Sequence, residues 1–589
     1  MQRRRPHSGA LAADLAVAKR LRCLPATVAG STLQRLGYAA ALLILIAVTT
    51  ATVAVGNGGS RKLNAHEILV AQTATEMQER GEYAVPYYNG LIRLEKPPLP
   101  YWLAVLVHWG MDTTGSPRVS ELEVRMPSLL AAPLLLIVTF FLGAVAFDDC
   151  RIGFAAAAIL ATSSDFFIYS RSARPEMLYA LFCVLQMLGL MIAVRRAEHG
   201  LSTLGGAALA WAATIFAMYA KGPQSPALFI VGTCLALVMR RPRLSPLPVV
   251  RLPMGLAVVA VTVVPYFVYL AMQSQGAVEF WAGQMVQNTS APWWLRPLRL
   301  FYPAAIIVGM APWIVGVGLA LRDAWKRRHP SIVVLASCVV VTVVSLSFVG
   351  KLRHHYVLPV TPLCAVLAAA AAVDLYQRIR AGEIPLRTLR NLGIAQAALT
   401  GIALLVGAAL SLRSHAVTGQ AMWAAAWPWL AVGAAFAVLG ARITVERPAM
   451  AFASFVAAFF SAWMSVSVAG IDSEPRWALA TQFAADVAEV TPARKPIYLE
   501  SGIEESLVYY GRRRVIWGKV QDWLAAHPHG RPPLFVCEGE CAGAEGRVIT
   551  VQRDVPREKA MILFRPRRPT SEQSPGSAAA SGGQATNRR

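Results

Sequence analysis

The sequence predicts a polytopic α-helical membrane protein that ends in a small α/β domain. Three observations carry that reading. The 589 residues are 56% hydrophobic and only 15% charged, far too apolar for a soluble chain of this size. Apolar runs of about 17–25 residues recur, each long enough to cross a hydrocarbon core. Lys and Arg gather in alternate loops between those runs, as the positive-inside rule expects. The formal net charge of +23 therefore reads as topology and contact with anionic headgroups, with no nucleic acid among the expected partners.

Residues 1–35 are basic, with Arg3, Arg4, Arg5, Lys19, Arg20, Arg22 and Arg35, and are expected to stay cytoplasmic. The first span covers about 36–56. It lacks a clear cleavage site and is read as a span that is retained. A polar loop follows at 57–124. Within it HEILVAQTATEMQERG has helical spacing and stops at Gly81. A second short helix, from about Pro98 to Trp109, enters through Pro97-Pro98 and carries Tyr101, Trp102 and Trp109, which suits headgroup depth.

Further spans are expected at 126–147, 153–170, 177–194, 205–220, 226–240, 251–272, 301–321, 331–350, 356–376, 391–411, 423–441 and 449–469. With the first they make about thirteen, an odd number that places the two termini on opposite sides. The membrane domain is thus 36–470, in the cell's inner (plasma) membrane with the N-terminus cytoplasmic. Residues 471–565 form an extracytoplasmic α/β domain. Its strands are expected near 496–499, 515–517, 533–537, 547–552 and 561–564, and its helices near 504–510 and 520–527. The tail at 566–589, rich in Pro, Ser, Gly, Ala and Gln, is expected to be disordered. Cys537 and Cys541 are spaced for a local disulfide on an oxidising face, and the spacing fits no zinc pattern well.

The most informative stretch is Asn64–Leu103, NAHEILVAQTATEMQERGEYAVPYYNGLIRLEKPPLPYWL. A loop this long that carries His66, Glu67, Glu95 and Lys96 close to lipid is costly unless it serves chemistry. Other outer-side charges sit at span ends: Arg174 and Glu176 in RSARPEM, Lys221 in AKGPQSP, and Lys351, Arg353, His354, His355 and Tyr356 in GKLRHHYVLPVTP. Singly, each has a plain explanation. Lys221 or Arg174 alone would serve as snorkelling anchors, and Glu176 would simply pair with Arg174. His354-His355 would serve as metal ligands only if their side chains met on one side, and adjacent helical residues diverge. Together the cations are what a lipid-linked phosphate requires.

These segments, with RMPSLLAA (Arg125–Ala132) and YAKGP (Tyr219–Pro223), resemble in order and spacing the glycosyltransferase 39 superfamily. That superfamily comprises the protein O-mannosyltransferases and, closer to this chain, the ArnT-like aminoarabinose transferases. EKPPLPYW and K-x-R-x-x-Y-x-L-P-x-x-P are its more specific parts, and the motifs cover about residues 64–368. The resemblance implies a GT-C fold. It implies transfer of a sugar, with inversion, from a polyprenyl-phosphate carrier to a lipid or protein acceptor on the outer face. The block 57–124 and the C-terminal domain would then help choose the acceptor.

By the same resemblance, carrier phosphate would be held by Arg174, Lys221, Lys351, Arg353 and Tyr356. Glu95 and Lys96 would form the cavity lip, and catalysis would fall to His66, Glu67 and Glu176. Two departures stand out. The family usually opens its loop with Asp-Glu, and this chain has His66-Glu67. The family commonly has Asp where Glu176 stands. Imidazole can do a base's work near neutral pH. No cofactor is required by these residues; the acidic loop leaves room for a divalent metal that no spacing demands. The competing expectations are a transporter of polyprenyl-linked lipid and a catalytically degenerate relative with a binding role. The first leaves the acidic EKPPLPYW loop unexplained and shows no inverted repeat.

Overall fold

Every one of the expected apolar segments is helical over most of its length in the computed structural model. The structure describes residues 32–567, apart from 59–60, 240–243, 288–299, 312, 328, 349–351, 384, 419–421, 469–474, 493–494, 528, 530, 540–545 and 553–559. Residues 1–31 of the basic N-terminus and 568–589 of the C-terminal tail therefore lie outside the described residues, as does Lys351. The chain divides into two compact units, Met1–Glu474 and Pro475–Arg589.

The first unit opens with α1 (Thr32–Ala54). The loop region supplies α2 (Ala65–Arg80), β1 (Tyr87–Tyr88), β2 (Leu91–Ile92) and α3 (Leu99–Met111). Then follow α4 (Glu121–Phe147), α5 (Cys150–Ala161), α6 (Ser164–Ser170), α7 (Glu176–Glu198), α8 (Leu204–Ala220), α9 (Gln224–Met239), α10 (Pro246–Val250), α11 (Leu252–Thr262), α12 (Val264–Gln273) and α13 (Ala277–Gln287). The unit closes with α14 (Phe301–Gly309), α15 (Ile314–Arg327), α16 (Pro330–Ser347), a 3₁₀ turn (His354–Val360) running into α17 (Thr361–Arg380), α18 (Leu386–Thr418), α19 (Met422–Ile443) and α20 (Pro448–Val468).

Among the described residues nine helices are long and apolar enough to cross a membrane, or ten if α5 and α6, bent by 64°, make one span. The expectation of about thirteen counts three more segments. Of these, α8 and α9 are only 17 and 16 residues long, and 301–321 is broken into α14 and α15. At about 1.5 Å per residue α8 and α9 reach roughly 24–26 Å, short of a full hydrocarbon core.

Packing separates central from peripheral helices. The apolar windows of α7 and of the 3₁₀–α17 span are 83% buried, against 17% for α11–α12 and 22% for α1. Small residues permit the central contacts. A Cβ on Gly189 of α7 would meet the Ala210 backbone of α8 at 2.5 Å, so the two backbones touch where only glycine fits. RPEM leads into the central helix α7 and RHHY into the 3₁₀ turn that precedes α17, so the best-packed part of the bundle anchors both motifs.

The loop region is ordered by its own sequence. Asn64 and Glu67 form a reciprocal capping box at the start of α2, and Gly81, at φ 65°, ends it in the left-handed region. Asn89-Gly90 makes the two-residue turn between β1 and β2, both with positive φ, as a type I′ hairpin requires. Glu76 secures that turn by accepting from the amides of Asn89 (2.7 Å) and Gly90 (3.0 Å). A second capping box, Ser120 with Glu123, starts α4. The buried imidazole of His108 on α3 joins Glu123 (2.9 Å) to the Ser116 carbonyl (2.8 Å), which locks α3 to the head of α4.

The second unit holds α21 (Pro475–Val490), β3 (Ile497–Leu499), α22 (Glu504–Tyr509), β4 (Val515–Trp517), α23 (Val520–Ala526), β5 (Phe535–Glu538), β6 (Gly546–Val551) and β7 (Met561–Pro566). The sheet order is β4-β3-β5-β7-β6. β3 pairs parallel with β4 and β5, and β7 pairs antiparallel with β5 and β6. Helices α22 and α23 make the crossovers that parallel pairing demands. Cys537 on β5 is disulfide-bonded; Cys541, the expected partner, lies outside the described residues.

Candidate active site

Two charge clusters form where the loop region meets the ends of the central helices. The first is closed. Glu67 is 1% exposed and its carboxylate accepts from Arg61 (2.8 Å), from Arg125 through two parallel bonds (3.0 and 3.1 Å) and from the Ala173 amide (3.0 Å). Arg125 also donates to the carbonyls of Asn57, Arg61 and Lys62, and Arg61 donates to that of Arg171. Burial alone would raise the Glu67 pKa; the two guanidiniums outweigh it and hold the group at about 2. This carboxylate is fully engaged and is absent from the cavity lining described below.

The second cluster surrounds a small cavity whose polar lining is His66, Arg93, Lys96, Tyr101, Arg174, Glu176, Arg353 and His355. Glu176, the first residue of α7, is 3% exposed and faces Lys221 (3.3 Å), Arg174 (3.4 Å) and His355 (3.5 Å). Its Oε2 accepts no hydrogen bond, although Arg174 Nε is the 3.4 Å neighbour. Arg174 donates to His355 Nδ1 at 3.3 Å. A guanidinium can only donate, so that nitrogen is the acceptor and His355 is the neutral tautomer with its proton on Nε2, toward Glu176. Lys221 sits over the rings of Tyr356 (5.0 Å) and Tyr179 (5.6 Å), within cation–π range. Arg93 donates to Tyr101 Oη at 3.0 Å and lies 3.8 Å from the exposed carboxylate of Glu95.

Two groups on the loop side carry shifted pKa values. Burial, then the neighbouring Lys221, brings the Lys96 ammonium down to about 8. The His66 ring is exposed at the cavity rim. Enough protein still surrounds it that desolvation, reinforced by Arg174, lowers its pKa below the ordinary imidazole value. His66 is therefore neutral at neutral pH.

The structure thus gathers His66, Lys96, Arg174, Glu176 and Arg353 around one cavity, with Lys221 and Tyr356 behind Glu176. It sets Glu67 apart in the closed cluster and Glu95 on the exposed rim beside Arg93. The sequence reading did not assign a site role to Arg61, Arg93, Tyr101 or Arg125, and gave His355 no role beyond its place among the outer-side residues and, with His354, as a metal ligand. Arg125 had a usable signal, because a cation in the first turns of an apolar helix needs a buried partner. The others are placed by tertiary contacts alone. Among the described residues no three His, Cys, Asp or Glu side chains gather as a metal site would require.

No family model matches the chain. It is similar to the undecaprenyl phosphate-α-4-amino-4-deoxy-L-arabinose arabinosyl transferase of Serratia proteamaculans, 22% identical over 398 residues, which cover 65% of this chain and 68% of that one. The transferase of the same name from Yersinia pestis is 24% identical over 340 residues, 55% of this chain and little more than half, 58%, of the relative. The crystal structure of ArnT from Cupriavidus metallidurans bound to undecaprenyl phosphate superposes with a TM-score of 0.67 at 17% identity, covering 91% of this chain and 98% of that one. Its apo form gives the same TM-score. The fold is therefore that of the GT-C membrane transferases.

Proposed function

We infer that this chain, which fits the ArnT-like branch of the glycosyltransferase 39 superfamily, is an integral-membrane glycosyltransferase. It moves a sugar from a polyprenyl-phosphate carrier to a lipid or protein acceptor. The observation that carries this is the convergence of Lys96, Arg174, Arg353 and His66 with one buried carboxylate, Glu176, on a fold shared with a protein crystallised with undecaprenyl phosphate. The relatives support a transferase and give no support to a transporter.

The chemistry is an inverting displacement. The acceptor oxygen attacks the anomeric carbon as the bond from that carbon to the carrier phosphate breaks. The leaving phosphate gains negative charge, and the cavity-lining cations not paired with Glu176 are Lys96, Arg353 and Arg93, the last already held by Tyr101 and Glu95. Fixed cations aimed at developing charge lower the barrier most in a water-poor site. Neutral His66, at the rim, takes the acceptor's proton. Glu176 orders the far wall by fixing Lys221, Arg174 and His355, and Lys221 in turn lies against Tyr356. Glu67 acts through the fold: its clasp on Arg125 and the Ala173 amide sets where His66 on α2 and Arg174 stand. Lys96 lines the cavity of about 40 Å³, and Glu95 stands outside that lining, on the exposed side of Arg93.

The protein is a multi-pass membrane protein. The alternation of basic loops supports a cytoplasmic N-terminus in the inner membrane, with the site and the second unit on the outer side. Reporter fusions at Arg241, Arg327 and Ala542 test that orientation, and a cytoplasmic signal at Ala542 overturns it. The activity is tested by incubating the purified chain with radiolabelled polyprenyl-phosphate sugar and envelope membranes. Transfer of label to glycolipid or protein is the expected result, and absence of transfer from every such donor refutes the reading.

A further inference from the structure

Of the adjacent pair His354-His355, only His355 lines the cavity. Successive residues of a 3₁₀ turn lie about 120° apart, so the two imidazoles leave the turn in different directions. His355 reaches Glu176 of α7, 3.5 Å away. His354 reaches Asp165 of α6, with Nδ1 3.4 Å from Oδ1. Each histidine at the head of this turn thus has its own carboxylate, from a different helix. Arg353, which lines the cavity, caps the turn immediately before them. Asp165 is fully buried in the first turn of α6, just after the bend from α5. Ser164 beside it donates to the carbonyls of Val308 (3.0 Å) and Gly309 (3.4 Å), and a Cβ on Gly309 would collide with Asp165 Oδ2, so α14 closes over the carboxylate. Tyr302 of the same helix stands 3.5 Å from the Arg353 amide, and Thr361 Oγ1 lies 3.5 Å from Asp165 Oδ2. Among the described residues, His354 is the one basic group paired with Asp165.

We propose that Asp165 and His354 are positioning residues for the carrier phosphate: the pair sets the rotation of the 3₁₀ turn, and through it the direction of Arg353. The proposal rests on the transferase reading above, which places Arg353 on that phosphate. A buried carboxylate without a counter-charge is costly, so the imidazole is held toward Asp165. At 3.4 Å the contact is electrostatic; neither Asp165 Oδ1 nor the buried His354 Nε2 makes a hydrogen bond among the described residues. Nothing on the far side of the ring therefore competes with Asp165 for its orientation. The turn is then pinned twice, by Asp165 at one histidine and by Glu176 at the next. Neither Asp165 nor His354 lines the cavity, so the pair acts through Arg353 and not by contact with the ligand. A shift of about 1 Å in such a positioned group is enough to cost on the order of a hundredfold.

The test measures the Kd of radiolabelled undecaprenyl phosphate on the full-length protein in nanodiscs at pH 7, with thermal melting alongside. The variants are Asp165→Asn, Arg353→Ala and the two combined. Asp165→Asn should weaken binding at least about fivefold in the parent, and by no more than about twofold in the Arg353→Ala background, where nothing is left to position. A merely structural carboxylate would cost the same factor in both backgrounds. That result, or unaltered binding in Asp165→Asn, overturns the proposal while the transferase reading stands. His354→Asn, whose amide can still donate to Asp165, should bind more tightly than His354→Ala, which cannot. Equal binding by those two also overturns it. If no variant of Asp165 or His354 folds, the pair is a folding element and the proposal is wrong. If the parent itself does not bind undecaprenyl phosphate, the transferase reading falls as well.

Discussion

Arg125 grips Glu67 through two parallel hydrogen bonds, Nε to Oε1 at 3.0 Å and Nη2 to Oε2 at 3.1 Å, with neither side chain reachable by water. The pair joins the first turn of α2 to the first turns of α4, and the Ala173 amide adds the segment before α7. Planar bidentate geometry fixes orientation as well as distance. The clasp therefore sets the geometry of the cavity wall without touching what the cavity holds.

Glu67→Gln should cost roughly 3–5 kcal/mol, because it leaves two guanidiniums buried without their counter-charge. Thermal melting in detergent checks this, and transfer should fall together with the folded fraction. The parent's stability should carry the same signature. The Glu67 pKa is depressed to about 2, so its contribution is complete above the ordinary carboxylate value and is lost as pH falls from about 4.5 toward 2.

Arg353→Ala should weaken donor use by about 1.5–3 kcal/mol, the scale of a charge-assisted hydrogen bond, and Lys351→Ala by a similar amount if it too meets the phosphate. Arg353 is exposed at the head of the 3₁₀ turn, so its loss should leave the melting temperature unchanged. Donor KM and kcat measured separately decide the matter. Unaltered donor kinetics remove the residue from the site.

Lys96 gives the site an alkaline limit. With a pKa near 8 the ammonium is present at neutral pH and titrates away above it. Donor affinity should then weaken by up to about tenfold per pH unit beyond the pKa of the free enzyme. Lys96→Arg, charged throughout, should bind donor with a flat alkaline profile. A parent profile that is flat to pH 9.5 contradicts the assignment.

His66 governs the acid limb. Only neutral imidazole accepts a proton, and its pKa lies below the ordinary value, so activity should rise with pH through a midpoint below about 6.5. His66→Ala should lose about 10²–10⁴-fold in kcat, the usual reach of general base catalysis. His66→Asp should retain activity with the limb displaced toward pH 4. Full activity in His66→Ala makes His66 a bystander and turns attention to Glu176.

The sequence by itself determined the class of fold and the parts of the site. Long apolar runs can satisfy their backbone in lipid only as helices, so composition and period sufficed for α1, α4 and α7. Local rules sufficed for the capping box at Asn64, the stop at Gly81 and the alternation of strands and helices after residue 495. Helix α21 was missed although Ala480, Phe483, Ala484 and Val487, all buried, recur at helical spacing in it. Only the tertiary structure decided which charges face a ligand. Glu67 and Glu176 are both catalytic candidates in the sequence, yet one is sealed by Arg61 and Arg125 and the other is held at a cavity wall by Lys221, Arg174 and His355. Arg61 and Arg174 are near their carboxylates in the chain, but Arg125 lies 58 residues from Glu67 and His355 about 180 from Glu176, and no local spacing encodes those two. The packing of α2, α4, α7 and the 3₁₀ turn brings them together, and burial then makes each pairing obligatory.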